Sequence, residues 1–152
     1  MKKSLPILLV TMLCTSPAWS YDQELAASYQ DYFQSIAGKA TPKALQMIPT
    51  KAFVEAVKKG EKLFVIDIRT PAETGLIGMT LPGSIAIPMN QLFKPENLAR
   101  IPTDQKVVIV CKGGHRSMAV ATGLRHIGFK KIFVLKLGTA DLAKYLSPKT
   151  AY

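Results

Sequence analysis

Cys111-Lys112-Gly113-Gly114-His115-Arg116-Ser117 concentrates the chemically capable side chains of this chain. A free thiol has a pKa of about 8.5 and is only a few per cent thiolate at neutral pH. Fixed cations at Lys112 and Arg116 favour the anionic sulfur, and His115 adds a third when protonated. Each unit of pKa depression is worth about 1.4 kcal/mol of preference for the thiolate. Gly113 and Gly114 permit φ > 0, so that successive amides can turn inward as a concave cradle for an anion. These residue types specify a reactive thiolate facing an anionic substrate.

Two elements must position that loop. Val107-Val108-Ile109-Val110 leads directly into it, and a short apolar run before a Gly-rich bend reads as a buried parallel strand. After it come Met118, Ala119, Val120, Ala121, Gly123 and Leu124, with Val120 and Leu124 four apart, a spacing that suits a helix packed on the strand. The thiol is therefore expected at the carboxyl end of a strand, in a loop that opens a helix. A helix N-terminus there aims unpaired N–H groups at the loop, with about half a positive charge behind them. Open α/β sheets bind their ligands at such a place.

The rest of the chain repeats the alternation. Further strands are expected over 45–48, 63–66 and 132–135. One helix starts at Pro49-Thr50, carries Phe53, Val54 and Val57, and stops at Gly60; a last one runs from Gly138-Thr139 to about Leu146. Residues 74–88 read as turn-rich, and 90–98 as short helical pieces around Pro95. Strands alternating with helices predict an α/β fold of three layers, a mostly parallel central sheet flanked by helices. Asp67 closes the 63–66 strand and Arg69 follows, at the same sheet edge as Cys111. Asp67 could bond the thiol loop, pair with Arg116, or cap the amides of the segment from Thr70, and Arg69 could be a structural partner of a nearby carboxylate. Both are expected to support the site rather than react. His126 has no partner at ligand spacing and reads as a surface or packing residue; no metal or cofactor is expected.

Residues 1–20 are expected to be a signal peptide: Lys2 and Lys3 form a basic start, 5–13 is mostly apolar, and Ala18-Trp19-Ser20 offers small residues for cleavage. The apolar run is well short of the roughly 20 residues that span a bilayer. Export, into the periplasm in a bacterium, is the expectation, with no membrane attachment after cleavage. Cys14 would leave with the signal, so Cys111 would be the single cysteine of an exported domain, a pattern of intermolecular pairing or a reactive thiol. The formal charge of +10 would fall to +8 over the 132 residues that remain of 152, enough for one domain. The lysines are scattered in runs no longer than two, without interleaved aromatics, so nucleic acid is not the expected partner; small anions are. Residues 21–43 form an extension ahead of the domain, with a helix over 22–38 capped by Asp22. Its stripe of Leu25, Tyr29, Tyr32, Phe33 and Ile36 is expected to pack on the domain, or else to meet a partner. Thr41-Pro42 breaks the chain before a domain of residues 44–148.

Cys111, Gly114, Arg116 and Ser117, spaced Cys-x-x-Gly-x-Arg-Ser, resemble the active-site loop of the rhodanese (thiosulfate sulfurtransferase) superfamily. Asp67-Ile68-Arg69 is similar to that family's strand ending in Asp-x-Arg, Pro71-Ala72-Glu73 to the segment that follows, and 82–88 to its Pro-Gly-Ala-x-x-Ile-Pro stretch. Gly128-Phe129 before an apolar strand also fits. The likeness covers residues 44–146. Departures are Gly78-Met79-Thr80-Leu81, where the family has Gly-His-Ile, and Gly138-Thr139 with Tyr145, where it has Gly-Gly and a later Trp.

The resemblance implies that Cys111 takes the sulfane sulfur of thiosulfate as a persulfide and hands it to cyanide or a thiol. Lys112, Gly113, Gly114, His115, Arg116 and Ser117 would bind the donor. Related phosphatases and arsenate reductases place five residues between cysteine and arginine to hold a tetrahedral oxyanion; here Lys112 to His115 make four, which favours sulfur transfer. A sulfur-carrier or docking module acting only with a protein sulfur acceptor is the alternative.

Overall fold

A computed structural model describes residues 20–34, 36 and 41–148; the 1–19 part of the expected signal lies outside them. The apolar runs become five strands, β1 (Met47–Ile48), β2 (Leu63–Asp67), β3 (Ser84–Ala86), β4 (Lys106–Val110) and β5 (Ile132–Leu135). They form one all-parallel sheet in the order β1-β5-β4-β2-β3. The helices are α1 (Gln23–Gln34), α2 (Thr41–Ala44), α3 (Thr50–Lys58), α4 (Pro71–Leu76), α5 (Pro95–Leu98), α6 (His115–His126) and α7 (Gly138–Tyr145). A 3-10 turn covers Met89–Gln91, so the short helical pieces expected over 90–98 are present.

The sheet is a septum between two apolar layers, and β4 shows why. Its four apolar residues are fully buried but alternate in direction. Val107 and Ile109 join the core with Val120, Ala121 and Leu124 of α6. Val108 and Val110 join Phe53 and Val54 of α3 and Leu142 of α7. A strand with helices on both sides needs apolar residues at every position, hence the unbroken β-branched run.

Two expectations change. The turn-rich 74–88 stretch begins inside α4, whose start is a Thr70–Glu73 capping box, and contains the edge strand β3, too short for a periodicity to show. The strand expected over 45–48 contracts to Met47–Ile48, because Leu45-Gln46 turns with Gln46 at φ 50°.

Asp22 caps α1 as expected, accepting from the Leu25 amide at 2.9 Å. The apolar stripe of that helix packs only in part. Tyr29 stacks on His126 with centroids 4.1 Å apart, Tyr32 meets the same ring edge-on, and Ser28 Oγ lies 3.1 Å from its Nε2. His126 is thus a packing residue, whereas Leu25 and Phe33 remain 49% and 46% exposed.

Candidate active site

The chain leaves β2 toward β3 on one side and β4 toward β5 on the other, so β2 and β4 flank a switch point in the strand order. Loops diverge there and leave a crevice at the carboxyl edge. Cys111 follows β4 and Asp67 ends β2, so the two residues lie at the same carboxyl edge of neighbouring strands.

Cys111 is 1% exposed, at the floor of the loop. Gly114, at φ +91°, is the N-cap of α6, and its amide donates to the Cys111 sulfur at 3.1 Å. Burial pushes the thiol up, but the Ser117 hydroxyl and the amides of Ser117, Gly113 and Gly114 outweigh it and hold the thiol below its ordinary value. The Ser117 hydroxyl is buried without a hydrogen bond of full geometry to any atom, yet it sits close enough to act on the sulfur. Its proton can rotate toward a charged sulfur. What favours the anionic form of the sulfur is therefore mainly amides and a hydroxyl, not the side-chain cations that the sequence emphasised. Lys112 and His115 are exposed and make no ion pair among the described residues.

Arg116 lies in the first turn of α6, and its terminal nitrogens both go to Glu73, at 2.9 and 2.6 Å. The pair keeps Arg116 firmly charged, with a smaller contribution from the Cys111 sulfur. Glu73 in turn accepts from the Thr70 amide and hydroxyl, so the capping box of α4 presents its carboxylate to α6. Glu73 was missed as a site residue. Thr-x-x-Glu at 70–73 marks a helix start in the sequence, but nothing local says that the carboxylate also reaches an arginine 43 positions away.

Asp67 neither pairs with Arg116 nor caps the segment from Thr70. It takes Arg69 Nε at 2.9 and 3.1 Å, Arg69 Nη2 at 2.6 Å and the Arg69 amide at 3.1 Å. The pair is buried, and Arg69 also donates to the Ile77 carbonyl at 2.6 Å, tying the end of β2 to the exit of α4. A two-residue separation at a strand end lets one side chain fold back on the other, and that local geometry wins over the more distant Arg116. Arg69 is the structural partner of a carboxylate that its type suggested.

Behind the loop stands the start of α7. The amides of Thr139 and Ala140 donate to the carbonyls of Cys111 and Lys112 at 2.9 and 3.0 Å. Thr50 Oγ1 bonds Asp141, linking α3 to the same helix.

A family model for the rhodanese-like domain matches residues 50–144, most of the chain. The chain is 31% identical over 104 residues to a sulfurtransferase of Allochromatium vinosum, covering 68% of this chain and 94% of that one. It is 29% identical over 129 residues to the probable adenylyltransferase/sulfurtransferase MoeZ of Mycobacterium tuberculosis, covering 84% of this chain but only 30% of that protein. The fold is similar to the crystal structure of a rhodanese-related protein from Thermoplasma volcanium, with TM-score 0.57, 24% identity, and 68% and 95% of the two chains covered. With an all-parallel five-stranded sheet, a cysteine loop at its switch point and sulfurtransferase homologues, this chain belongs to the rhodanese-like domain family.

Proposed function

We propose that this protein is an exported thiosulfate sulfurtransferase whose nucleophile is Cys111. The observation that carries the reading is the buried sulfur lying under the Gly114 amide, with Ser117 and further loop amides favouring its anion. The thiolate attacks the outer sulfur of thiosulfate or a similar anionic donor. A bond forms between the two sulfurs, the bond to the sulfonate sulfur breaks, and its electron pair leaves with sulfite. Cyanide or a thiolate then attacks the outer persulfide sulfur, takes it as thiocyanate or a new persulfide, and returns the electron pair to Cys111. The intermediate is covalent, so the kinetics are ping-pong.

The loop amides favour the Cys111 thiolate that attacks the donor and that is released again when the acceptor takes the sulfur, a stabilisation that costs no reorganisation because the Gly114 amide is already on the sulfur. Arg116 carries its charge into the site offset by Glu73, so Lys112 supplies the unpaired side-chain charge for a dianionic donor, with His115 exposed beside it as a hydrogen-bonding group. Asp67 and Arg69 serve the reaction only by fixing the end of β2. The basic, apolar and small-residue order of residues 1–20 supports export.

The test is intact-protein mass spectrometry after thiosulfate, then after cyanide. A gain of one sulfur atom that cyanide removes and Cys111→Ser abolishes supports the reading; no gain on reduced protein sinks thiosulfate as donor. A second reading, a sulfur carrier acting only with a protein acceptor, is favoured by α1, which buries none of its residues and leaves Leu25 and Phe33 facing outward.

A further inference from the structure

The thiol loop does not shape itself. We propose that the first turn of α7 is the positioning element of the thiol site: by holding the carbonyls of Cys111 and Lys112, it fixes the peptide planes that lead through Gly113 to the Gly114 amide on the sulfur.

The geometry is specific. The Thr139 amide donates to the Cys111 carbonyl at 2.9 Å and the Ala140 amide to the Lys112 carbonyl at 3.0 Å. In a trans peptide the C=O and the following N–H point in opposite directions. A Lys112 carbonyl held on α7 therefore sends the Gly113 N–H away from α7, and the Gly113 amide is among the groups that favour the thiolate. The same two bonds satisfy donors that any helix leaves unpaired in its first turn. Helix and loop each use the other's spare groups.

The chain bends sharply to make this approach. Leu137 and Gly138 both adopt the left-handed region, at φ 62° and 63°, and a non-glycine residue there is strained. Gly138 has no room for a side chain: a Cβ would sit 2.1 Å from the Cys111 carbonyl oxygen and 2.6 Å from that of Lys112. Gly114 is confined from the other side, where a Cβ would lie 3.2 Å from the Leu137 nitrogen. The two backbones are in direct contact, and a glycine on each permits it.

The inference rests on Cys111 working as a thiolate, as the proposed reaction requires, but its readout is the ionisation of the thiol and not the transfer of sulfur. Thr139→Pro and Ala140→Pro each remove one N–H in the first turn of α7, where no bond within the helix is lost, and set a ring carbon against the carbonyl that the N–H held. The pH dependence of iodoacetamide alkylation of Cys111 is measured in each, beside Leu142→Ala, which loosens the packing of α7 and leaves both amides in place. The expected result is an alkylation midpoint moved up by about one pH unit in the proline variants, with the rate at neutral pH down roughly tenfold, and no move in Leu142→Ala. A midpoint unchanged in folded proline variants, or raised equally by Leu142→Ala, overturns the proposal. Should both proline variants fail to fold, amide hydrogen exchange on the unaltered protein decides. Thr139 and Ala140 amides protected like those of β4 support the pins, and rapid exchange at both overturns them. A protein that keeps the midpoint shift yet forms no persulfide would overturn the sulfurtransferase reading alone.

Discussion

Arg116 grips Glu73 through both terminal nitrogens, at 2.9 and 2.6 Å, joining the first turn of the helix after the thiol loop to the first turn of α4. The guanidinium expected to bind the anionic donor is already paired, with Glu73 and not with Asp67, and the carboxylate that pairs it also completes a helix cap. Two helix starts on adjacent strands of the sheet are locked together by one carboxylate.

Glu73→Gln isolates that lock, because glutamine preserves a capping box but carries no charge. The Arg116 hydrogen bond, followed by the Thr70 amide, holds the Glu73 carboxyl well below the ordinary 4.5. A lowered carboxyl stabilises the folded state above its free pKa, and the contribution fades as the pH falls below that value toward the folded one. The unaltered protein should therefore melt above Glu73→Gln at neutral pH, with the gap closing progressively below pH 4.5. Thermal unfolding of both proteins across the acid range reads this directly. A gap independent of pH would show that the ion pair is not its source.

Ser117→Ala tests a trade between stability and reactivity. The hydroxyl is buried without a hydrogen bond of full geometry, so its removal should leave the melting temperature unchanged or slightly raised. It also favours the thiolate, so its removal should raise the alkylation midpoint of Cys111. An unmoved midpoint would assign the whole effect to the amides.

Gly114→Ala places a Cβ on a residue at φ +91° and 3.2 Å from the Leu137 nitrogen. Backbone strain of that kind costs about 1–3 kcal/mol. Urea unfolding should show the loss, and the yield of persulfide should fall with it, since the same residue donates its amide to the sulfur. Full persulfide yield in a folded variant would mean that the cradle does not depend on this conformation.

Asp67→Ala leaves the Arg69 guanidinium buried without its carboxylate. Breaking one side of a buried pair costs about 3–5 kcal/mol, whereas replacing both sides with apolar residues is often close to neutral. The Asp67→Leu, Arg69→Met double variant should therefore recover much of the stability in a denaturant titration. Failure to recover would show that the Arg69 bond to the Ile77 carbonyl, which ties β2 to the exit of α4, carries the larger share.

The features legible in the chain alone are local or periodic. An unbroken β-branched run at 107–110 can only serve a strand covered on both faces. The Gly-Gly pair that follows permits a bend, which the structure takes at Gly114, and the order of strands and helices specifies the layered parallel sheet that the structure contains. The thiol, its loop and its place at a strand end were all legible in that way. The pairings arise from the packed fold. Asp67 chose Arg69, Arg116 chose Glu73, and α7 supplied the amides that hold the Cys111 and Lys112 carbonyls. Charges and backbone donors carry no address in the sequence, because any cation can meet any carboxylate and every residue but proline has an N–H. Which ones meet is set by where the packed sheet and helices bring their ends together.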